Sequence, residues 1–193
     1  MSTPTPNLSF TPKEIRLATA TLATLAIIAP TLYYLLPSYS STESTPHLTT
    51  FRKFIAAYSS RRPQALTATA SNNFTYRSLP SSRKTSPRNL ESFHAHAAQM
   101  FDLFESFNMI TQDPVHFSKS TNTVTAHCKM GGRVSESSEG GKKLIEQGVE
   151  QWWVECVLMV KMDRSGRRVV GVSEFVDSAK AEELRERIEG GFE

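Results

Sequence analysis

The sequence predicts an α+β domain with an antiparallel sheet, in the order helix, helix, strand, helix, four strands and helix. Three observations predict it. Apolar residues recur at helical spacing in the first half of the domain, short alternating segments dominate the second half, and a hairpin followed by a charged helix ends the chain. Helices followed by a meander of strands are typical of α+β domains with an antiparallel sheet. An apolar helix is predicted ahead of this domain.

The length, composition and charge of the chain limit the classes of function that it can have. With 193 residues, of which 39% are hydrophobic, the chain can form one domain with a real core and an appendage. The formal net charge is only +3 and Lys and Arg are scattered, so no nucleic-acid partner is predicted. No CxxC, HExxH or comparable spacing occurs, so neither a metal nor another cofactor is predicted.

The two cysteines are Cys128 and Cys156, and each falls within a predicted strand. A buried reduced thiol in a strand behaves as a small hydrophobic group. A disulfide would require their β-carbons to lie close together, and this distance cannot be derived from the sequence.

The first 46 residues form the appendage. No charged residue occurs from Leu17 to Thr42, and about 20 apolar residues cross a bilayer as a helix. Lys13 and Arg16 precede this stretch, which places the N-terminus in the cytosol and the domain beyond the membrane. A single-pass anchor is therefore expected; a cleaved signal would make the protein secreted, and a helix packed on the domain would leave it cytoplasmic. The predicted segments are a disordered tail over 1–14, the apolar helix over 15–37 and a Ser/Thr-rich linker over 38–46.

Three helices and a strand open the domain, which is predicted to span residues 47–190. Pro63 suits the first turn of the second helix, and Asn89 suits the N-cap of the third and longest one. A strand over residues 74–79 lies between these helices and ends at Pro80. The apolar positions at helical spacing are Leu48, Phe51, Ile55 and Tyr58 in the first helix, and Leu90, Phe93, Ala97, Phe101 and Phe104 in the third.

Four strands and a helix complete the domain. The first strand contains Val115 and Phe117, and the second, residues 123–130, alternates apolar and polar side chains. Residues 131–148 are predicted to form a long, polar, mobile loop because they are rich in Gly and Ser. The last two strands, over residues 151–162 and 167–176, form a hairpin around a Gly-containing turn, and Asp177 or Ser178 caps the final helix.

Five segments of the domain match a known sequence pattern: Tyr76–Pro80, Ser86–Asn89, Val124–His127, Trp153–Cys156 and Glu174–Ser178. They resemble the cone-shaped α+β superfamily of nuclear-transport-factor-two-like and SnoaL-like proteins, and in particular a branch of small fungal proteins. The resemblance covers residues 47–190 and implies a curved sheet with helices on its concave face and a pocket between them. The fourth segment keeps the glutamate of the family pattern but has Val154 where the pattern has Asn and Cys156 where it has an aromatic residue.

His127 and Glu155 are the first candidates for a catalytic pair in that pocket. They lie on strands expected to be neighbours, and acid–base chemistry needs such a pair in a partly apolar cavity. Strand parity favours the opposite interpretation. The even positions from Trp152 to Met162 are all apolar and form a core face, which leaves Glu155 on the other, solvated or dimer-forming face. A bulge in the strand would reverse that parity.

Other candidate site residues flank the pocket. Tyr76 and Arg77 alternate on the first strand, so only one of them can point inward to bind a substrate. His94 lies beside the apolar stripe of the third helix and is a third candidate catalytic residue, or else a boundary histidine. His96 lies on the opposite side of that helix and is expected in water.

Two further residues are candidates for substrate binding. Trp152 is interpreted either as the roof of a hydrophobic ligand site or as a core residue. Glu174 is interpreted either as a pocket carboxylate or as a member of an ion pair on the sheet surface. Asp177 is more simply a helix cap than a catalytic acid.

Two function classes fit these residues. The first is a dimerising module with an apolar pocket for a small hydrophobic molecule. The alternative is an isomerase, dehydratase or cyclase that acts on a polyketide- or terpenoid-like substrate by acid–base catalysis, an activity implied by the resemblance. A homodimer is expected through the convex face of the sheet, because Trp153, Val157 and Met159 alternate outward on a central strand.

Overall fold

A computed structural model describes residues 45–189 of the chain. These residues form the predicted element order with one additional short helix between the third and fourth strands. The elements are α1 (Pro46–Ala57), α2 (Pro63–Thr67), β1 (Ala70–Leu79), α3 (Leu90–Asp102), β2 (Asn108–Ser118), β3 (Thr123–Arg133), α4 (Glu139–Glu146), β4 (Gln151–Met162), β5 (Val169–Val176) and α5 (Ser178–Glu189).

The five strands form one curved sheet that does not close, in the order β1-β5-β4-β3-β2. The sequence predicts a purely antiparallel sheet, and this is wrong for one pair, because β1 runs parallel to β5. The other three pairs are antiparallel, as expected for a meander. β1 precedes the meander in the chain and pairs with its last strand, at the edge opposite β2.

The sheet has one buried and one partly exposed face. On β4 every second residue from Trp152 to Met162 is buried, so the predicted parity is confirmed. The buried face packs against α1 and α3, whose own buried side chains include Phe51, Phe54, Phe93 and Phe101. The core therefore lies between the helices and the inner face of the sheet.

Side-chain caps define where the helices begin. The predicted cap Asn89 is confirmed, because its Oδ1 accepts a hydrogen bond from the Ser92 amide at 2.9 Å. Asp177 also acts as a cap, since its Oδ1 accepts from the Ala179 amide at 3.0 Å. The expected helix start at Pro63 is confirmed as well.

The segment 131–148 differs from its prediction as a mobile loop. β3 continues to Arg133, and α4 begins after Ser138, whose Oγ accepts a hydrogen bond from the Gly141 amide at 3.0 Å. A β-carbon at Gly132 would lie 1.9 Å from the Ser106 carbonyl oxygen, and one at Gly141 would lie 1.9 Å from the Ser135 carbonyl oxygen. These glycines thus permit close backbone packing, which sequence composition alone does not distinguish from flexibility.

The two cysteines face each other across the sheet. Cys128 on β3 is the register partner of Cys156 on β4, and both side chains are buried free thiols. The interpretation of both cysteines as buried side chains within strands is therefore confirmed. The hydrogen bond with Cys128, followed by burial, raises the pKa of the Cys156 thiol.

The predicted tail, apolar helix and most of the linker, residues 1–44, lie outside the described residues. Within residues 45–189, none of the helices is long and apolar enough to cross a bilayer.

Candidate functional site

A cavity of about 480 Å³ lies between the inner face of the sheet, α3 and α5. Apolar side chains such as Met100, Met130 and Leu184 form most of its wall. A volume of this size matches the range of about 300–1,000 Å³ typical of small-molecule sites. A second, much smaller cavity of about 20 Å³ lies beside Tyr58 and Glu174.

The polar centre of the cavity is a carboxyl group bonded to a phenol. The Tyr76 hydroxyl donates a hydrogen bond to Glu174 Oε2, and only 4% of Tyr76 and 7% of Glu174 is exposed. The register of the parallel pair explains the contact. Tyr76 pairs with Val172 and Ser78 with Glu174, so Tyr76 and Glu174 are diagonal neighbours on the same face of the sheet.

Both tyrosines near this carboxyl group are held in the protonated form. Burial, and then the negative charge of Glu174, raise the pKa of Tyr76 well above its usual value. The same two causes raise the pKa of Tyr58. Tyr76 is therefore a hydrogen-bond donor at neutral pH and not a base.

Arg88 also lines the cavity, although it is not among the candidates that the sequence predicts. Two backbone hydrogen bonds join it to Tyr76, from the Tyr76 amide to the Arg88 carbonyl at 2.8 Å and from the Arg88 amide to the Tyr76 carbonyl at 2.9 Å. The Arg88 Cζ lies 5.7 Å from the centroid of the Tyr76 ring, within the range of a cation–π contact. Its position in the Ser86–Asn89 segment of the family resemblance is the one sequence signal that could have identified it.

The prediction for His96 is wrong, whereas His94 fits the alternative of a boundary histidine. His96, expected in water, lines the cavity and lies with its ring centroid 6.3 Å from that of Tyr76. His94, the candidate base, is half-buried and is not among the residues that line the cavity. The exact turn of a helix about its axis decides which of two residues, two positions apart, faces a pocket.

The other candidate residues divide between the two faces of the sheet. Trp152 and Glu174 line the cavity. Arg77 is exposed, because it alternates with the inward-facing Tyr76 on β1. Trp152 Nε1 is buried and has no acceptor within the described part of the chain.

His127 and Glu155 do not reach the cavity. Their Nε2 and Oε2 atoms lie 3.0 Å apart, but on the outer face of the sheet, where their side chains are 49% and 67% exposed. β3 and β4 pair continuously from Thr123 to Arg133, so no bulge reverses the parity. Within the described segment, no group of three His, Cys, Asp or Glu side chains has the arrangement of a metal site.

Comparisons with known proteins identify the fold. No family model and no curated protein matches the chain in sequence. Solved structures do match: BvnE pinacolase from Penicillium brevicompactum superposes with a TM-score of 0.63 at 14% identity, over 74% of this chain and 93% of that one. AusH from Aspergillus nidulans gives 0.58 at 20% identity, over 71% and 86%. A protein with a ketosteroid isomerase-like fold from Catenulispora acidiphila gives 0.51 at 13% identity, over 70% and 89%. The domain has the fold that the sequence resemblance predicted.

Proposed function

We propose that this domain, which has the nuclear-transport-factor-two-like fold, is an acid–base enzyme of the isomerase, dehydratase or cyclase type. Its substrate would be a small, largely apolar molecule of the polyketide or terpenoid kind. One observation carries the proposal: a buried carboxyl group, Glu174, is hydrogen-bonded to a buried phenol, Tyr76, in the wall of an apolar cavity. A pinacolase that shares this fold shows that the scaffold supports catalysis in at least one relative.

Glu174 and Tyr76 would have different roles in such a reaction. The Glu174 carboxylate would accept a proton from a carbon next to a substrate carbonyl and return it at a second carbon, so that no net proton is gained or lost. Tyr76 would stay protonated and position the carboxylate. Few water molecules compete in an apolar cavity, which strengthens each electrostatic contact.

Proton exchange tests this proposal without knowledge of the natural substrate. The full-length chain is incubated in D₂O with the ketone 2-tetralone, and loss of the α-proton signal is followed by NMR. Exchange above the buffer rate should fall about 100-fold or more in Glu174→Gln, the effect typical of a lost general base. Glu155→Gln, which alters a carboxylate on the opposite face, should keep the wild-type rate. Equal rates in both variants would contradict the proposal.

A binding module without catalysis is the second candidate. The cavity wall is mostly apolar, and Trp152 Nε1 offers a buried donor with no acceptor among residues 45–189. A ligand oxygen would satisfy this donor. Saturable binding of 2-tetralone with no exchange above buffer would favour this function over the enzyme.

The appendage is proposed to be a membrane anchor. The support is the uncharged stretch Leu17–Leu36, which has bilayer-spanning length and follows Lys13 and Arg16. The full chain should sediment with membranes and resist alkaline carbonate, while removal of residues 1–43 should leave a soluble, folded protein. Release by carbonate, or unfolding after the removal, would contradict the anchor.

A homodimer through the outer face of the sheet is also proposed. Val157 and Phe175 are direct register partners on β4 and β5, and they and Ile110 are 38%, 49% and 48% exposed. Exposed apolar side chains on one face of a sheet are typical of an interface. Light scattering of residues 44–193 should give twice the monomer mass. Val157→Lys should give the monomer mass, whereas Glu136→Lys, on an exposed loop, should not.

A further inference from the structure

The position of Arg88 is fixed by its backbone. It forms an isolated antiparallel bridge with Tyr76, and residues paired directly in such a bridge present their side chains on the same face. The Arg88 Cζ lies 5.7 Å from the centroid of the Tyr76 ring, so the ring contacts the guanidinium and leaves its N–H donors available to a ligand. Arg88 and Glu174 thus contact two parts of one phenol inside one cavity.

Arg88 has no carboxylate partner among residues 45–189. Of the described side chains, two arginines line the wall, Arg88 and Arg185. Arg185 is paired with both Glu182 and Glu189. None of the carboxylates of residues 45–189 lies within 4.0 Å of the Arg88 guanidinium. A half-buried cation in this position favours binding of a negatively charged ligand group.

We infer that the substrate carries a single carboxylate group, and that Arg88 binds it. This inference rests on the proposed function of the cavity and names its substrate class, an apolar monocarboxylic acid. A guanidinium presents paired N–H donors that match the two oxygens of a carboxylate. The same contact would orient the apolar body of the ligand across the cavity toward Glu174.

The surrounding groups limit the anion to one charge. Glu174 is a buried carboxyl group next to Tyr76, and a second negative charge on the ligand would be repelled by it. Arg185 is already neutralised by its two carboxylate partners, so it adds little attraction for a dianion. A phosphate monoester is therefore a poorer ligand than a carboxylate. Ser78, Thr85 and Gln99 line the cavity as uncharged polar groups.

Three naphthalene probes of equal apolar body test this inference on the full-length chain: 2-naphthoate, methyl 2-naphthoate and 2-naphthyl phosphate. Dissociation constants are measured by fluorescence. The wild-type chain should bind the carboxylate about tenfold more tightly than the ester, as expected for a charge-assisted contact, and more tightly than the phosphate. Arg88→Gln should abolish the preference for the acid over the ester and leave ester affinity unchanged. Arg77→Gln, a neighbouring arginine outside the cavity, should keep the preference.

Ester affinity in Arg88→Gln also reports whether the cavity is intact. If that variant does not fold, the inference is tested by the wild-type chain alone, through the ratio of its dissociation constants for the acid and the ester. Equal affinity for acid and ester, tighter binding of the phosphate, loss of both affinities in a folded Arg88→Gln variant, or no binding of any probe would each overturn the inference.

Failure of this inference and failure of the proposed function give different results. If exchange of 2-tetralone depends on Glu174 but acid and ester bind equally, the enzyme stands and the carboxylate selectivity is wrong. If Arg88 selects the acid but exchange is independent of Glu174, the ligand class stands and the acid–base role is wrong.

Discussion

The two faces of the sheet carry the same kind of polar pair in opposite surroundings. On the inner face Tyr76 donates to Glu174, and both are buried beside an apolar cavity. On the outer face His127 and Glu155 make a contact of 3.0 Å, with side chains 49% and 67% exposed. Judged by residue type alone, the outer pair is the better catalyst, because it contains a histidine.

The difference between the pairs teaches that surroundings decide what a polar contact can do. An exposed ion pair competes with water and salt, and it contributes little to stability. A buried carboxyl group interacts through a medium of lower dielectric, so its partners are more strongly affected. Burial, and then the charge of Glu174, raise the pKa of Tyr76, which is consistent with such surroundings.

The largest expected effect concerns the close approach of the β3 backbone to the segment that precedes β2. A β-carbon at Gly132 would lie 1.9 Å from the Ser106 carbonyl oxygen. Gly132→Ala should therefore lower the free energy of unfolding by more than about 3 kcal/mol, measured by urea denaturation. Gly171→Ala is the control, since its β-carbon would be 3.5 Å from the nearest atom, and it should cost less than about 1 kcal/mol. Equal losses would contradict the steric explanation.

The second prediction measures the inner pair directly. A double-mutant cycle with Tyr76→Phe and Glu174→Gln should give a coupling energy of about 2 kcal/mol in urea denaturation, the value expected for a buried hydrogen bond to a charged group. A coupling below about 0.5 kcal/mol would mean that burial does not strengthen this contact.

The alternation of inward and outward side chains along a strand explains why much of the fold and half of the site are predictable from the sequence. The alternation of β4 by itself places Trp152 on the inner face and Glu155 on the outer face, because successive side chains of a strand without a bulge point to opposite faces. The caps Asn89 and Asp177 are predictable because their side chains bond within the next three residues. Strand alternation and helix caps are therefore predictable because each depends on residues that are close in the sequence.

The remaining features depend on contacts between distant segments. The parallel pairing of β1 with β5 joins Tyr76 to Glu174, which are 98 residues apart, and no local pattern indicates it. Arg88 reaches the cavity through the bridge to Tyr76, and His96 rather than His94 faces it because of the way α3 is rotated on the sheet. Glycines 132 and 141 suggest a flexible loop in the sequence because composition does not reveal close backbone packing.

The third prediction uses pH to separate the inner face from the outer one. The pKa of Tyr76 is raised, first by burial, so the folded chain keeps its proton while the unfolded chain loses it near pH 10. The unfolded state then binds fewer protons, and the free energy of unfolding falls as pH rises above about 10, by about 1.4 kcal/mol per pH unit. Between pH 9 and 11, urea denaturation should show that the wild type loses about 1.4 kcal/mol more of its free energy of unfolding than Tyr76→Phe does. Parallel slopes would contradict the raised pKa.

The smallest effect is expected for the outer pair. A double-mutant cycle with His127→Gln and Glu155→Gln should give a coupling energy of about 0.5 kcal/mol or less, because both side chains are solvated. High salt should reduce even this value, since it screens exposed charges, whereas the coupling of Tyr76 with Glu174 should change little. Urea denaturation of both cycles at low and high NaCl checks the comparison. An outer coupling as large as the inner one would mean that water does not reach His127 and Glu155, as it would if a second copy of the chain covered this face.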